Sequence, residues 1–318
     1  MSGAALAIDG LRKTYANGVT ALCGVDLNIA AGEVFAILGP NGAGKSTLIN
    51  IVAQVTAKSA GRVAVMGVDI EAQPQLAKRL VGVTPQEIAL DPFFTVRELL
   101  INHAGYYGVR KPGPWVDELL QRLDLAKHAH KRTRELSGGM KRRLTVAKSL
   151  VHQPPLVILD EPTAGVDVAL RHGLWSFIRE LHAQGSTVIL TTHYLEEAQE
   201  LAGRVAIINQ GALAACDRTE NLLADFAARR VEIQWKGENG AAPDVIPVGL
   251  QWDAGACRLH GELATDAVSE LMRWAGERAC QIADLRLEPP RLEDVYLHLT
   301  SGAAATAGKQ QQEARHAG

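Results

Sequence analysis

The chain of 318 residues is long enough for about two domains, and its composition, 47% hydrophobic and 21% charged, is ordinary for a globular protein. Lys plus Arg (33) nearly balance Asp plus Glu (35), and the formal net charge of -2 argues against nucleic acid as a general partner. The four cysteines are scattered without a Cys-x-x-Cys pair, which favours free thiols over a disulfide framework or a zinc site.

The sequence contains no membrane-spanning or secretory segment that we can identify. No apolar run approaches the roughly 18 residues that a membrane-spanning helix needs. The N-terminal residues Met1–Asp9 lack the basic region and apolar core of a secretory signal. We therefore expect a chain that is made in the cytosol and stays there, with any membrane role supplied by a partner.

The first predicted elements form a β-hairpin. Two runs of strand-like residues, Leu6–Tyr15 and Thr20–Ile29, flank Asn17-Gly18. Asn-Gly suits the tight type I′ turn, in which both central residues take a positive φ. The sequence therefore predicts an antiparallel N-terminal β-subdomain.

From Gly32 to about Asp217, short apolar runs alternate with helical segments. The predicted strands are Val34–Leu38, Val63–Met66, Leu156–Leu159, Thr187–Leu190 and Val205–Ile208. The predicted helices are Lys45–Val55, Val96–Tyr107, Trp115–Leu125, Gly139–Leu150, Ala169–His182 and Leu195–Leu201. This alternation predicts an α/β core with a parallel sheet. Residues from about 88 to 155 form a mostly helical insertion in it.

A phosphate-binding loop follows the first core strand and opens the helix at Lys45. Its pattern is G-x-x-x-x-G-K-[ST], and its backbone N–H groups can surround phosphates beside the positive end of the helix. Lys45 can reach the β- and γ-phosphates, and the Ser46 hydroxyl can bind Mg²⁺. The predicted nucleotide-binding residues of this loop are Gly39, Pro40, Asn41, Gly42, Ala43, Gly44, Lys45, Ser46 and Thr47.

A second anion-binding helix start lies in the helical insertion. Ser137 is a natural N-cap, and Ser137, Gly138 and Gly139 begin the helix that runs to Leu150. A single nucleotide has one γ-phosphate, yet the chain offers two such helix starts. The chain therefore offers two helix starts that can each receive an anion.

An acidic pair ends the strand Leu156–Leu159, at the sheet edge where open α/β folds bind their ligands. Asp160 suits Mg²⁺ binding through its water shell, and Glu161 suits a general base that polarises the attacking water. The other interpretation is a solvated pair that merely ends a strand, and the nearby phosphate loop makes it the weaker one.

After about Arg230 the pattern changes. Short strands are predicted at Val231–Trp235, Leu250–Trp252, Cys257–His260 and Ile282–Leu287, with helices at Ala264–Ala275 and Leu292–Leu299. They predict a small α+β domain over residues 231–300, after an ATP-binding domain over residues 1–230. Residues 301–318 are rich in Ala, Gly, Gln and Lys and lack large apolar side chains, so we expect a disordered tail.

Taken in order, these motifs resemble those of the ATP-binding subunit of an ABC transporter, over about Leu6 to Phe226. The resemblance implies the P-loop ATPase fold of that family, ATP as substrate and Mg²⁺ as cofactor. It also implies that Tyr15 stacks on adenine, that Gln86 senses Mg²⁺ and the γ-phosphate, and that His193 contacts the γ-phosphate. Gln86 belongs to the Q-loop, which in this family couples to the membrane subunit.

Two family motifs depart from their usual form. The signature, residues 136–140, has Met140 where many members have Gln. The D-loop has Ala164 in place of its usual serine and keeps Asp167, which the resemblance assigns to the nucleotide site. Similar sequences occur among exporter ATPases, so we still expect an active ATPase.

The resemblance also implies a second copy of the chain as partner. In this family two subunits meet head to tail, and each ATP lies between the phosphate loop of one chain and the Ser-Gly-Gly of the other. This chain has one of each, so two identical copies would complete two sites, with C2 symmetry as the expected arrangement. Nucleic acid is not an expected partner.

The C-terminal residues 288–300, Glu-Pro-Pro-Arg-Leu-Glu-Asp-Val-Tyr-Leu-His-Leu-Thr, are similar to the ending of ABC-2-type exporter ATPases. That branch implies a separate integral-membrane permease as partner, and a cytoplasmic subunit bound through it to the inner face of the cell membrane. The same run also fits an amphipathic closing helix. The alternative function is a soluble ABC ATPase that remodels a protein or nucleic-acid complex.

Two surface features of the helical insertion bear on its partners. Docking on the permease is expected near Gln86–Leu100, where Phe93 and Phe94 are either an apolar contact patch or core residues. The basic cluster that includes Arg142 and Arg143 is interpreted as a solvated face beside the signature helix, rather than a lipid or nucleic-acid site.

Overall fold

The computed structural model describes residues 3–166, 168–225, 228–236, 242–264, 267–288 and 291–300. Two predicted features, Asp167 and the tail 301–318, lie outside the described residues. The chain divides into two compact units, one with the described residues up to Arg218 and one with those from Thr219 onward.

The first unit contains two sheets. Its strands are β1 (Ala4–Thr14), β2 (Thr20–Ala30), β3 (Val34–Leu38), β4 (Ala60–Val65), β5 (Val68–Asp69), β6 (Val81–Thr84), β7 (Leu156–Asp160), β8 (Thr187–Thr191), β9 (Arg204–Asn209) and β10 (Ala212–Arg218). Its helices are α1 (Lys45–Val52), α2 (Pro74–Leu80), α3 (Val96–Tyr106), α4 (Gly113–Arg122), α5 (Gly138–Leu150), α6 (Val168–Ala183) and α7 (Leu195–Leu201). One sheet has the order β2-β1-β4-β5, and the other β10-β9-β3-β8-β7-β6.

The predicted N-terminal hairpin is confirmed, but its turn is not type I′. β1 and β2 pair antiparallel. The N–H of Gly18 donates to Tyr15 O at 2.9 Å, and within Asn17-Gly18 a positive φ occurs at Gly18 alone, at 84°. A type I′ turn needs a positive φ at both central residues, so a longer loop over residues 15–19 closes the hairpin instead.

The predicted parallel core is also confirmed. β6, β7, β8, β3 and β9 pair in parallel, whereas β10 runs antiparallel to β9. Every residue of β3, β7 and β8 is buried, as expected for strands that are covered on both faces. The assignment of Val63–Met66 to this core is wrong, because those residues lie mainly in β4, which pairs antiparallel with β1.

The segment between β6 and β7 is mostly helical, as predicted. Thr95 opens α3 with a capping box: its hydroxyl accepts from the N–H of Glu98 at 3.3 Å, and the Glu98 carboxylate accepts from the N–H of Thr95 at 2.9 Å. α5 packs against β6 and β7. The helix that carries the signature therefore rests on the two strands that lead to Gln86 and Glu161.

The second unit is a small α+β fold. It contains α8 (Thr219–Asp225), β11 (Ala228–Trp235), β12 (Leu250–Asp253), β13 (Arg258–Ala264), α9 (Val268–Glu277), β14 (Ile282–Glu288) and α10 over residues 292–300. Its antiparallel sheet has the order β12-β13-β11-β14. The predicted helix start at Ala264 is wrong, because Ala264 still pairs with Ala228 and α9 begins at Val268. Among the helices that the structure describes, none combines the length and apolar composition needed to cross a membrane.

Candidate nucleotide-binding site

The phosphate loop joins β3 to α1 through a glycine turn. Gly42 and Gly44 have φ of 80° and 107°, and Gly44 caps α1. A Cβ on Gly44 would lie 2.5 Å from Ala21 O, and one on Gly39 would lie 2.2 Å from Ile208 O. Both positions therefore need glycine, because β2 and β9 pass directly behind the loop. The turn brings the positive end of α1 to the carboxyl end of β3.

Lys45 lies against the loop that it follows. Its Nζ donates to Gly39 O at 2.7 Å and to Pro40 O at 3.1 Å, and the residue is 9% exposed. Burial lowers the pKa of Lys45, and the negative charges of Glu161 and Asp160 oppose that change. The ammonium thus lies in the field of the predicted base, Glu161, and of the predicted Mg²⁺ ligand, Asp160.

Tyr15 stands at the end of the hairpin, next to α1. Its hydroxyl oxygen is 3.2 Å from Thr47 Oγ1, and Lys13 Nζ is 4.9 Å from the centre of its ring. Tyr15 is 37% exposed. The predicted adenine-stacking residue therefore lies beside the predicted phosphate loop, where an exposed ring can stack on a base.

The three residues predicted to bind Mg²⁺, Ser46, Gln86 and Asp160, line one cavity of about 410 Å³. They carry hydroxyl, amide and carboxylate oxygens, which are the hard donors that Mg²⁺ prefers. Asp160 is 6% exposed, and burial raises the pKa of its carboxyl, opposed by a hydrogen bond from the Thr191 hydroxyl. A cation in this cavity would stabilise the ionised carboxylate, so the donor set fits Mg²⁺.

The three predicted catalytic residues, Glu161, Gln86 and His193, lie together. Gln86 and His193 both approach one carboxylate oxygen of Glu161. Gln86 Nε2 donates to Glu161 Oε2 at 3.0 Å, and His193 Nδ1 lies 3.6 Å from the same oxygen. Glu161 has a φ of 49°, which is strained for a residue other than glycine. Its N–H is held by Thr191, whose hydroxyl and carbonyl oxygens both lie 3.1 Å away. Thr191 thus fixes the backbone of the residue that is predicted to act as the base.

The second predicted helix start is at the surface. α5 begins at Gly138, and Ser137 caps it by accepting a hydrogen bond from the N–H of Met140 at 3.3 Å. Ser137 and Gly138 are exposed, and Gly139 is half-buried. An exposed helix start of this kind can receive an anion that a second molecule carries. The remaining predicted residue of the site, Asp167, lies outside the described residues.

The predicted solvated face is wrong for Arg142. This residue is 2% exposed, and its guanidinium donates to five main-chain carbonyls after β6 and β7, so it does not lie on a solvated face. Arg143 also turns inward and donates to Leu123 O at 2.7 Å. A sequence signal was available, since Arg142 lies at helical spacing from the small polar residues Thr145 and Ser149, which share its buried face.

A second cavity, of about 450 Å³, adjoins the first, and Val55, Val83 and Pro85 line both. Phe93 and Phe94, in the loop between β6 and α3, are 72% and 39% exposed. They are therefore surface residues and not part of the core. An apolar surface thus lies in the same segment as Gln86.

Comparison with known proteins agrees with this geometry. A family model described as ABC transporter matches residues 22–164, and one described as an AAA domain, putative AbiEii toxin, matches residues 132–197. The daunorubicin resistance ATP-binding protein DrrA3 of Streptomyces coeruleorubidus is 37% identical over 94% of this chain and 97% of its own length. The Nod factor export ATP-binding protein I of Rhizobium etli is 37% identical over 93% of this chain and 93% of its own length.

Solved structures extend the likeness to the fold. An ATP-binding subunit of an ABC transporter has a TM-score of 0.65 at 26% identity and covers 70% of this chain and 92% of its own. A dimeric ATP-binding cassette with ADP and phosphate has a TM-score of 0.62 at 25% identity and covers 67% of this chain and 98% of its own. Relatives that match nearly end to end, on a cassette fold with these motifs, show that the chain belongs to the ATP-hydrolysing subunits of ABC transporters, in the branch of ABC-2-type exporter ATPases.

Proposed function

We propose that this chain drives export by hydrolysing ATP with Mg²⁺, and that its substrate crosses the membrane through a separate integral-membrane permease. The observation that carries the mechanism is the approach of Gln86 Nε2 and His193 Nδ1 to Glu161 Oε2, at 3.0 and 3.6 Å. The relatives serve in daunorubicin resistance and in Nod factor export, which favours export over the remodelling of a soluble complex.

ATP binds along the phosphate loop. The backbone N–H groups of residues 39–47 and the ammonium of Lys45 hold the β- and γ-phosphates. Tyr15 stacks on the adenine ring, and its hydroxyl, 3.2 Å from Thr47 Oγ1, links that ring to the start of α1. The base and the phosphates are thereby held by adjoining parts of one surface.

The two residues of the acidic pair, Asp160 and Glu161, have different roles. Ser46, Gln86 and Asp160 would hold Mg²⁺, which when bound neutralises charge that develops on the phosphates. Glu161 takes a proton from the attacking water, and Gln86 orients its carboxylate. His193, whose Nδ1 lies 3.6 Å from the same oxygen of Glu161, contacts the γ-phosphate.

Two copies of the chain complete each site. The exposed start of α5, with Ser137, Gly138 and Gly139, contacts the γ-phosphate of the ATP that the partner copy's phosphate loop holds. Asp167 is assigned to the same interface by family resemblance. The dimeric state of a related cassette supports this arrangement, as does the presence of one phosphate loop and one signature in each chain.

The permease holds the dimer at the cytoplasmic face of the membrane. Its cytoplasmic segment docks on the exposed apolar surface beside Gln86, where Phe93 is 72% exposed and Tyr106 is 84% exposed. Both residues belong to the helical segment between β6 and β7, which also carries the signature. Gln86, which donates to Glu161, belongs to the same stretch of chain between β6 and β7.

The variant Glu161→Gln tests the base. It should bind ATP as well as wild type and accumulate as an ATP-bound dimer, while turnover falls by about 100-fold or more because the amide cannot accept a proton. Glu196→Gln, at an exposed residue on α7, is the matched control and should keep its turnover. Lys45→Ala should lose ATP affinity. Near-normal turnover of Glu161→Gln would remove the base role, and unchanged ATP binding by Lys45→Ala would contradict the nucleotide site.

A further inference from the structure

Arg142 lies on α5 with its whole guanidinium buried. A guanidinium has five N–H groups in a rigid fork, and here each one donates to a main-chain carbonyl. The acceptors are the carbonyl oxygens of Pro85 (2.8 Å), Gln86 (2.9 Å), Asp160, Glu161 and Pro162 (3.2 Å). No side-chain carboxylate is needed to satisfy these donors.

The five acceptors come from two segments that are far apart in sequence. Residues 85–86 follow β6 and residues 160–162 end or follow β7, and these strands pair in parallel up to Thr84 and Leu159. Beyond that pair the ladder of hydrogen bonds between the strands ends. Beyond the ladder, the guanidinium of Arg142 joins the two segments, because it binds the backbones of both where they leave the sheet.

The two segments carry the side chains that meet at the catalytic carboxylate. Gln86 Nε2 donates to Glu161 Oε2 at 3.0 Å. A shift of either backbone would lengthen that bond, and a misplacement of about 1 Å at a reacting group can cost about 100-fold in rate. The backbone fork of Arg142 is therefore in a position to control a distance on which hydrolysis depends.

Arg142 donates to main-chain carbonyls and not to the carboxylates of Asp160 and Glu161. Burying a guanidinium is costly unless every N–H is satisfied. Burial lowers the pKa of Arg142, and the charges of Asp160 and Glu161 oppose that change. Because the fork binds the main chain of these residues, their side chains stay available to Mg²⁺ and water.

We propose that Arg142 is a positioning residue for ATP hydrolysis, which fixes the Q-loop against the end of β7 and so aligns Gln86 with Glu161. The proposal rests on the base role proposed for Glu161. Since Arg142 and Ser137 belong to one short helix, α5 then serves two nucleotide sites. Its first residues contact the ATP of the partner copy, and Arg142 orders the catalytic carboxylate of its own chain.

The test is Arg142→Lys in the full-length protein. Lysine keeps the charge but offers three N–H groups on one nitrogen, so it cannot bind both segments as the fork does. We expect kcat to fall by about 10- to 100-fold, while KM for ATP changes less than about threefold because the phosphate loop is untouched. Arg142→Gln, which keeps two N–H groups, is the second variant if the lysine protein is insoluble.

Arg143→Lys is the matched control on the same helix. Arg143 Nη1 donates to Leu123 O at 2.7 Å and lies 3.2 Å from Asp124 Oδ2, at the end of α4, and makes none of the bonds to the catalytic segments. We expect it to lower the melting temperature, because a bond to Leu123 is lost, but to keep kcat within about twofold of wild type, since it removes no contact at the catalytic segments. A merely structural role for Arg142 would give both variants the same kinetic result.

A double-mutant cycle with Gln86→Ala separates positioning from stability. Arg142→Lys should cost less kcat in the Gln86→Ala background than in wild type, because one of the groups that it aligns is already gone. Additive losses, or an unchanged kcat for Arg142→Lys, would overturn the proposal. If Glu161→Gln keeps its turnover the base role fails, whereas an inactive Glu161→Gln beside a fully active Arg142→Lys removes the positioning role alone.

Discussion

At the scale of single residues, the hydroxyl of Thr191 connects the carboxylate of Asp160 to the backbone of Glu161. It donates to Asp160 Oδ1, and its oxygen accepts from the N–H of Glu161 at 3.1 Å. The residue is fully buried at the end of β8. One small side chain therefore supports both the predicted Mg²⁺ carboxylate and the strained backbone of the predicted base.

Thr191→Val should reduce kcat by about 10-fold, because a hydrogen bond to a charged group contributes about 1.5–3 kcal/mol. It should also move the acid limb of the pH profile. Burial already raises the pKa of Asp160 and the Thr191 hydroxyl counteracts this, so its loss raises that pKa further. Since Mg²⁺ needs the ionised carboxylate, activity should be lost at a higher pH than in wild type.

The control for this prediction is Thr187→Val at the other end of β8. Thr187 is also buried, and its hydroxyl accepts a hydrogen bond from the N–H of Gly32 at 2.9 Å, away from the acidic pair. Its variant should keep the wild-type pH profile. A profile for Thr191→Val that superimposes on wild type would mean that its hydroxyl does not support Asp160.

Single residues differ in how far the sequence predicts them. Lys45, Asp160 and Glu161 could be predicted to lie near one another, because each stands at a fixed place between a strand and a turn or helix. Arg142 could not be identified from its charge, because its five acceptors belong to residues 85–86 and 160–162, which only the folded sheet brings together. Its helical spacing from Thr145 and Ser149 is the one sequence signal that distinguishes it from the exposed residues of the basic cluster.

At the scale of elements, α5 combines a structural and an intermolecular role at its first turn. Ser137 caps the helix through Met140, and the same hydroxyl faces solvent where the partner copy is proposed to bind. Asp caps helices about as well as Ser, whereas Ala does not. Substitutions at this one position can therefore separate helix stability from dimer formation.

We predict that Ser137→Asp impairs dimer formation more than stability, and that Ser137→Ala impairs stability more than dimer formation. Ser137→Asp should change the free energy of unfolding by less than about 1 kcal/mol, and Ser137→Ala should lower it by about 1 kcal/mol. In a Glu161→Gln background with ATP, Ser137→Asp should abolish the dimer, because its charge faces the triphosphate, while Ser137→Ala still forms it. Urea unfolding and size-exclusion chromatography measure the two effects. Equal dimer formation by both variants would contradict the shared site.

Strands that consist of continuous apolar residues could be predicted from the sequence. A strand whose backbone packs closely against a neighbouring element could not. β3, β7 and β8 are continuous runs of buried residues, so their sequences predict strands. β6 escaped prediction because its Gly82 packs its backbone against Ser149 O, where a Cβ would lie 2.1 Å away. β4 was assigned to the wrong sheet, since an apolar run does not reveal which partner strand it meets.

At the scale of the whole molecule, the curated relatives match 93–94% of the chain, whereas the solved cassettes cover 67–70% of it. The first unit ends at Arg218, so the relatives also match residues of the second unit. The likeness to exporter ATPases is therefore a property of both units. The proposed attachment to a permease can be tested at the exposed apolar residues of the first unit.

We predict that Phe93→Ser and Tyr106→Ser weaken attachment to membranes that contain the permease. Burying one such side chain contributes about 1.5–3 kcal/mol, so each change should weaken binding by about 10-fold or more. Sedimentation of those membranes measures the bound fraction, and the ATPase rate of the free protein should stay unchanged.

Val248→Ser, at a residue that is 93% exposed in the second unit, is the control and should sediment as wild type does. Wild-type sedimentation of the Phe93 and Tyr106 variants would exclude this surface from docking, and sedimentation with membranes that lack the permease would indicate direct binding to lipid.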